Sequence, residues 1–169
     1  MKLEHWAVPI TSLDGMLLGV ELETRVLING CRVLMGAGKE SEYIRHVVYQ
    51  NQLRMIQGKA AWFKEKGVLC VLSTGTGTRY EDLPFIRYMA AEPLLTDGYD
   101  LVRLNRRFTE EYIERLIFPV LIKNIMQYCD KVIVQVSSNR NHRILRESGI
   151  WAVQGEYRPI RFEQCEQLL

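Results

Sequence analysis

The chain has 169 residues, 47% of them hydrophobic, which is enough for one compact domain over residues 1 to 169 and too little for two of ordinary size. Its 22 basic and 20 acidic side chains are interleaved and leave a net charge of +2, so the dense basic block of a nucleic-acid or anionic-membrane surface is missing. The opening MKLEHWAVPI has no apolar leader core and no apolar run is long enough to span a bilayer, which predicts a cytoplasmic location.

Residues 6 to 13 and 16 to 28 are rich in aliphatic and β-branched side chains and are separated by Asp14-Gly15, a dipeptide that accepts positive φ. The chain is therefore predicted to open with an antiparallel hairpin. Gly36 and Gly38 close the next loop. From residue 41 to 66 Ile44, Val47, Val48, Met55, Ile56, Trp62 and Phe63 recur near helical spacing, which predicts one long helix ended by Gly67. Residues 68 to 72 form a short continuous apolar run, the pattern of a buried parallel strand, and it stops at a Ser-Thr-Gly-Thr-Gly-Thr exit. Asp82 can cap, and Pro84 can begin, a helix running towards Leu95, with Pro93 disrupting its last turn. Residues 99 to 105 read as a strand. A helical pattern follows from 109 to 128, and Pro119 is predicted to kink it near Phe118. Residues 131 to 136 read as a buried strand, 139 to 148 as a polar helix, 151 to 154 as a short strand and 161 to 169 as a terminal helix. After the hairpin, strand and helix alternate, which predicts an α/β chain with a parallel sheet.

Several sharper motifs fail on inspection. Gly36-Ala37-Gly38-Lys39 suggests a phosphate loop, but that pattern needs glycine where Val33 stands, so a loop before a helix is the better reading. Residues 73 to 78 offer backbone N–H groups to an anion, yet read more simply as a turn. Ser73 as a nucleophile lacks a base, because His5, His46 and His142 fall in unrelated elements. Arg103, Arg106, Arg107, Arg140, Arg143 and Arg146 are expected to be scattered solvated charge, and Trp62, Phe63 and Trp151 to be core. Cys31, Cys70, Cys129 and Cys165 lie far apart with no C-x-x-C pair, which argues for reduced, mostly buried thiols over a disulfide framework or a zinc site.

Five segments, in order, carry a resemblance to a known family. Gly19-Val20-Glu21-Leu22-Glu23-Thr24-Arg25 is similar to a G-x-E-A-L-L-R segment, keeping Glu21 and Arg25. Leu72-Ser73-Thr74-Gly75-Thr76-Gly77 is similar to D-D-F-G-T-G, keeping G-T-G and losing both aspartates. The run from Asp100 through Arg103 and Asn105 to Phe108 is similar to D-x-I-K-I-D-R-x-F, Gln135-Val136-Ser137-Ser138 stands for E-G-V-E, and Gln154-Gly155 for a closing Q-G. The chain thus resembles a degenerate, shortened EAL domain, the cyclic di-GMP phosphodiesterase fold. The interval from Glu21 to Ser73 is too short for the two further β-α units that the family carries there. An alternative alignment sets residues 68 to 73 on the family's third strand; the G-T-G match is preferred because the next helix and strand then follow in step. A full (β/α)₈ barrel typically takes ~250 residues. The expected fold is therefore an incomplete TIM-like (β/α) barrel of about six strands, opening with an antiparallel hairpin and either left open or re-closed.

The resemblance implies a two-metal phosphodiesterase site, which needs clustered carboxylates because Mg²⁺ and Mn²⁺ prefer hard anionic oxygens. Leu72 and Ser73 stand at its paired aspartates, Asn105 at another, Gln135 and Ser138 at its later acids, and Arg103 at its lysine. Arginine stays protonated and does not serve as a base. No catalytic residue, no metal ligand set and no cofactor is expected. Glu21, Arg25, Arg103 and Gln154 are the candidate vestigial ligand-binding residues, Arg25 matching the family's phosphate-contacting arginine. Ala7-Val8-Pro9-Ile10 stands where the family's Y-Q-P-I has glutamine, so binding of cyclic di-GMP is not favoured.

The resemblance extends to the anti-flagellar EAL-like regulators of enteric bacteria. It implies a non-catalytic regulator acting by protein–protein contact on a transcription regulator of the flagellar master type, modulating motility or virulence genes. A cyclic di-GMP receptor without hydrolysis and a weak metal-dependent phosphodiesterase are the alternatives. Open strand edges also suggest a homo-oligomer; direct nucleic-acid or membrane binding is not expected.

Overall fold

The structure is a computed structural model and describes residues 1–33, 39–73, 85–90, 100–127, 129–136, 141–155 and 159–169. The predicted opening hairpin is present. Strand β1 (Lys2–Thr11) runs antiparallel to β2 (Leu17–Ile28), with Val8 opposite Glu21 and Trp6 opposite Glu23. Asn29 and Gly30, both at positive φ, make a two-residue turn into the short β3 (Cys31–Arg32), the geometry that suits the twist of paired strands. Helix α1 (Lys39–Lys66) follows over nearly the predicted range and stops where Gly67 takes φ of 64°.

Strand β4 (Leu69–Ser73) lies parallel to β2, in the position expected of the apolar run. The chain then departs from expectation. A helix is predicted from Asp82 towards Leu95, but Phe85–Ala90 is strand β5, antiparallel to both β4 and β6 (Asp100–Leu104). The sequence F-I-R-Y-M-A is rich in aromatic and β-branched residues, and those preferences, with two flanking strands to pair with, outweigh the capping signal. The rest of that predicted helix lies outside the described residues. With Phe85–Ala90 a strand, the helix that sets the preferred G-T-G alignment in step is not found at those residues. Since β5 interrupts the parallel order, the sheet is mixed.

The predicted kinked helix is two helices. Helix α2 (Arg106–Tyr112) ends before α3 (Phe118–Ile125), and Pro119 sits in the first turn of α3, where no N–H is needed, so it starts a helix and does not bend one. Strands β7 (Lys131–Gln135) and β8 (Ala152–Gln154) continue parallel to β6, with α4 (His142–Glu147) between them. The last elements are β9 (Ile160–Arg161), paired with β1, and a 3₁₀ segment (Phe162–Leu168) where a terminal helix is predicted.

The order β2-β4-β5-β6-β7-β8 returns to the hairpin through β1, so the sheet is an incomplete TIM-like barrel re-closed on itself. That last joint is thin: β8 meets β1 in one register pair, Val153 with Thr11. Successive strand residues point to opposite faces. Ile10, Val71, Leu101, Ile133 and Ala152, from five strands, fill the lumen. Outside, Ala7, Val20, Leu22, Cys70 and Leu72 pack under Ile56 and Phe63 of α1 and Phe162 and Cys165 of the 3₁₀ segment. Leu104, Val132, Val134 and Val153 pack under Phe118 and Ile122 of α3 and Leu145 of α4. Among the described residues, no helix is long and apolar enough to cross a membrane.

Candidate functional site

The lumen layer of Leu101, Ile133 and Ala152 fixes what lies above it. Two residues further along each strand, on the same inward face, come Arg103, Gln135 and Gln154, and Glu21 faces them from β2. This is the mouth at the C-terminal ends of the parallel strands, the end where barrels of this type carry their sites. Arg103 Nη1 donates to Glu21 Oε2 at 3.0 Å and Oε1 at 3.4 Å, and to Gln154 Oε1 at 3.2 Å. Gln154 Nε2 donates to Glu21 Oε2 at 2.8 Å, and Gln135 Nε2 to Gln154 Oε1 at 3.2 Å. Glu21 and Arg103 are each 7% exposed and Gln154 is 3% exposed. A carboxylate taken this far out of water is costly unless a counter-charge and hydrogen bonds replace its hydration. Arg103 supplies the charge, and the two glutamines fill the remaining geometry.

Arg103, expected among solvated arginines, is instead buried and ion-paired. The other member of the candidate set stands apart. Arg25 lies four residues beyond Glu21 on β2, bonded through Nε to Glu23 Oε1 at 3.1 Å and resting over the Trp6 ring at 4.8 Å. Arg161 covers the same ring at 5.2 Å, and Arg32 also reaches Glu23 at 3.6 Å. The Arg25 guanidinium is therefore already engaged by a carboxylate and an aromatic face. The Trp6 Nε1 atom is buried and has no hydrogen-bond partner among the described residues.

Asn105, at the position of a family aspartate, serves the backbone. Its side chain accepts from the Phe108 N–H at 2.8 Å, and its carbonyl accepts from the Thr109 hydroxyl at 2.8 Å, which makes it the N-cap of α2. The backbone N–H of Arg106 in turn donates to Gln135 Oε1 at 3.3 Å, joining the start of α2 to the mouth. Ser73 ends β4, and Thr74 to Gly77 and Ser138 lie outside the described residues.

A divalent cation of the implied kind needs several hard anionic oxygens. Among the described residues the mouth presents one carboxylate, already held by a guanidinium, and amide groups. Among the described residues no group of three or more His, Cys, Asp and Glu converges. These residues do not fit a metal pair. Sequence reasoning missed the contribution of Gln135 and of the two arginines over Trp6. The signal for Gln135 was the alternation on β7, where Ile133 and Gln135 share a face.

By sequence the chain matches no known family profile and no curated protein. By structure it is similar to the EAL-like domain protein YdiV, with TM-score 0.64 and 14% identity over 99% of this chain and 96% of that one. It is also similar to an EAL domain protein from Listeria monocytogenes EGD-e, with TM-score 0.54 and 13% identity over 98% of this chain and 91% of that one. At such identities the likeness is one of fold, and the fold of this chain is that of the EAL-like domains.

Proposed function

We propose that this protein is a non-catalytic EAL-like regulator that acts in the cytoplasm by binding another protein, a transcription regulator of the flagellar master type, and so changes motility or virulence gene expression. The observation that carries the reading is the Glu21–Arg103–Gln154 cluster, which spends the mouth's hydrogen bonds internally. A hydrolytic site would keep carboxylate oxygens open to cations and water. Arg25, engaged by Glu23 and Trp6, would have to leave both before it met a ligand phosphate, which counts against a cyclic di-GMP receptor. What remains to such a fold is its outer surface.

The test has two arms. The purified protein, given cyclic di-GMP with Mg²⁺ or Mn²⁺, is expected to leave the dinucleotide intact, and Glu21→Gln to behave identically in that assay. Affinity capture from native lysate, with and without cyclic di-GMP, is expected to retain a transcription regulator in both conditions. Mobility-shift assays then read whether its DNA binding changes. Metal-dependent turnover lost in Glu21→Gln would refute the first part; capture without any transcription regulator would refute the second.

A further inference from the structure

We propose that Arg103 is an internal counter-cation that stands in the place of a bound metal ion and clasps the shortened barrel shut. The proposal rests on reading the mouth as non-catalytic, and it concerns what the mouth does instead.

The geometry around one atom carries the argument. Arg103 Nη1 faces three acceptor oxygens within 3.4 Å: both oxygens of Glu21 and Oε1 of Gln154. A carboxylate presenting both oxygens and a neutral amide oxygen are donors of the hard type that divalent cations take, but only part of the six or more such an ion needs. Here the charge at their focus is covalently tethered, carried by a planar guanidinium fork. The oxygens come from β2 and β8, the two strands on either side of β1. Across that joint the backbone ladder is a single pair, Thr11 with Val153. The side chains supply what the ladder lacks: Arg103 reaches from β6 to both strands, Gln154 bridges β8 directly to β2 at 2.8 Å, and Gln135 ties in β7. Four strands are thereby cross-linked through the lumen.

Two consequences separate this from a merely buried arginine. Removing the guanidinium leaves the Glu21 charge buried without the Arg103 counter-charge, and also leaves both Glu21 oxygens and Gln154 Oε1 facing a vacated space that a divalent cation completed by water can probe. The experiment is thermal unfolding of the wild type, Arg103→Ala, and the double variant Glu21→Gln/Arg103→Ala, each in EDTA and in millimolar MnCl₂. Arg103→Ala is expected to melt roughly 10 °C below wild type in EDTA, as loss of one partner from a buried ion pair predicts for a chain of this size. The double variant is expected to recover part of that loss, because the stranded charge is gone. MnCl₂ is expected to raise the melting temperature of Arg103→Ala by several degrees while leaving the wild type and the double variant unmoved. If Arg103→Ala does not fold in EDTA, folding of the double variant supports the proposal and failure of both overturns it. Arg103→Ala melting with the wild type, or MnCl₂ stabilising the wild type equally, also overturns it. Hydrolysis by the wild type would refute the non-catalytic reading without moving any of these melting temperatures.

Discussion

Phe63→Ala tests whether α1 and the C-terminal segment share one core with the hairpin. The Phe63 ring is 1% exposed, edge-on to Trp62 at 5.1 Å between centroids and tilted against Phe162 at 6.1 Å. It therefore couples the middle of the sheet's outer face to the chain's last element, which Lys59 also holds by donating to the Glu163 carbonyl at 2.8 Å. Truncating a fully buried phenylalanine costs about 3–5 kcal/mol, from lost transfer free energy and the cavity left behind. Against a total stability of about 5–15 kcal/mol this is a large fraction. With a urea dependence of about 2 kcal/mol per molar, the unfolding midpoint falls by ~2 M. Equilibrium urea denaturation followed by far-UV circular dichroism and by tryptophan fluorescence measures it, with Trp62 beside the cavity contributing to the emission together with Trp6 and Trp151. A midpoint shift below about 0.5 M at unchanged slope would mean that Phe63 is not anchored as described.

Leu116, 99% exposed on the turn between α2 and α3, is the matched control: Leu116→Ser should leave stability within about 0.5 kcal/mol in the same assay, and a larger loss would place that turn in a core. Native protein treated with a thiol reagent at mildly alkaline pH should modify Cys31 quickly and Cys70, Cys129 and Cys165 only after denaturation, since Cys31 alone is exposed. Burial pushes the Cys70 thiol far up and holds Cys165 at about 11, so fast native labelling of either would contradict the packing. His5 is buried beside Thr24, its Nδ1 2.8 Å from the hydroxyl, and burial holds its pKa below the ordinary value, opposed by Glu163 and reinforced by Arg161. The unfolded chain therefore takes up this proton more readily, so the stabilising contribution is complete above about pH 6.5 and is lost as pH falls through the lower folded value. Urea midpoints should decline over that interval in the wild type and less steeply in His5→Gln; equal slopes would exclude the histidine as their source.

Most strands were legible because their signals are local and concordant. The hairpin is announced by Asp14-Gly15 between β-rich runs, the long helix by its apolar spacing and Gly67, and β4, β6 and β7 by short apolar runs. Two departures have separate causes. Around residues 85–90 a capping aspartate and a first-turn proline favoured a helix, but pairing with β4 on one side and β6 on the other decided the conformation, and partners distant in sequence leave no local mark. Pro119 was legible as a break in the helical pattern, yet a proline inside a helix and a proline opening the next one look alike until the turn before it is known.

The mouth was harder to read than the barrel, for an electrostatic reason. Replacement of each family acid can be read one position at a time, and that reading was enough to doubt the chemistry. What it could not supply was the destination of Arg103, because a run containing Arg103, Arg106 and Arg107 looks like solvated charge. Alternation on β6 settles it: Leu101 and Arg103 share a face, and Leu101 is in the lumen. Once Arg103 is inside, charge balance constrains the remainder. One carboxylate and one guanidinium sum to zero, and the neighbouring Gln135 and Gln154 contribute dipoles without charge. A divalent ion entering that site would bring two positive charges to a place where the one acid among the described residues is already matched, in surroundings where unbalanced charge is penalised by several kcal/mol per ion. Among the described residues, the charge balance at this place therefore weighs against a divalent ion through the arginine that is present as much as through the aspartates that are missing.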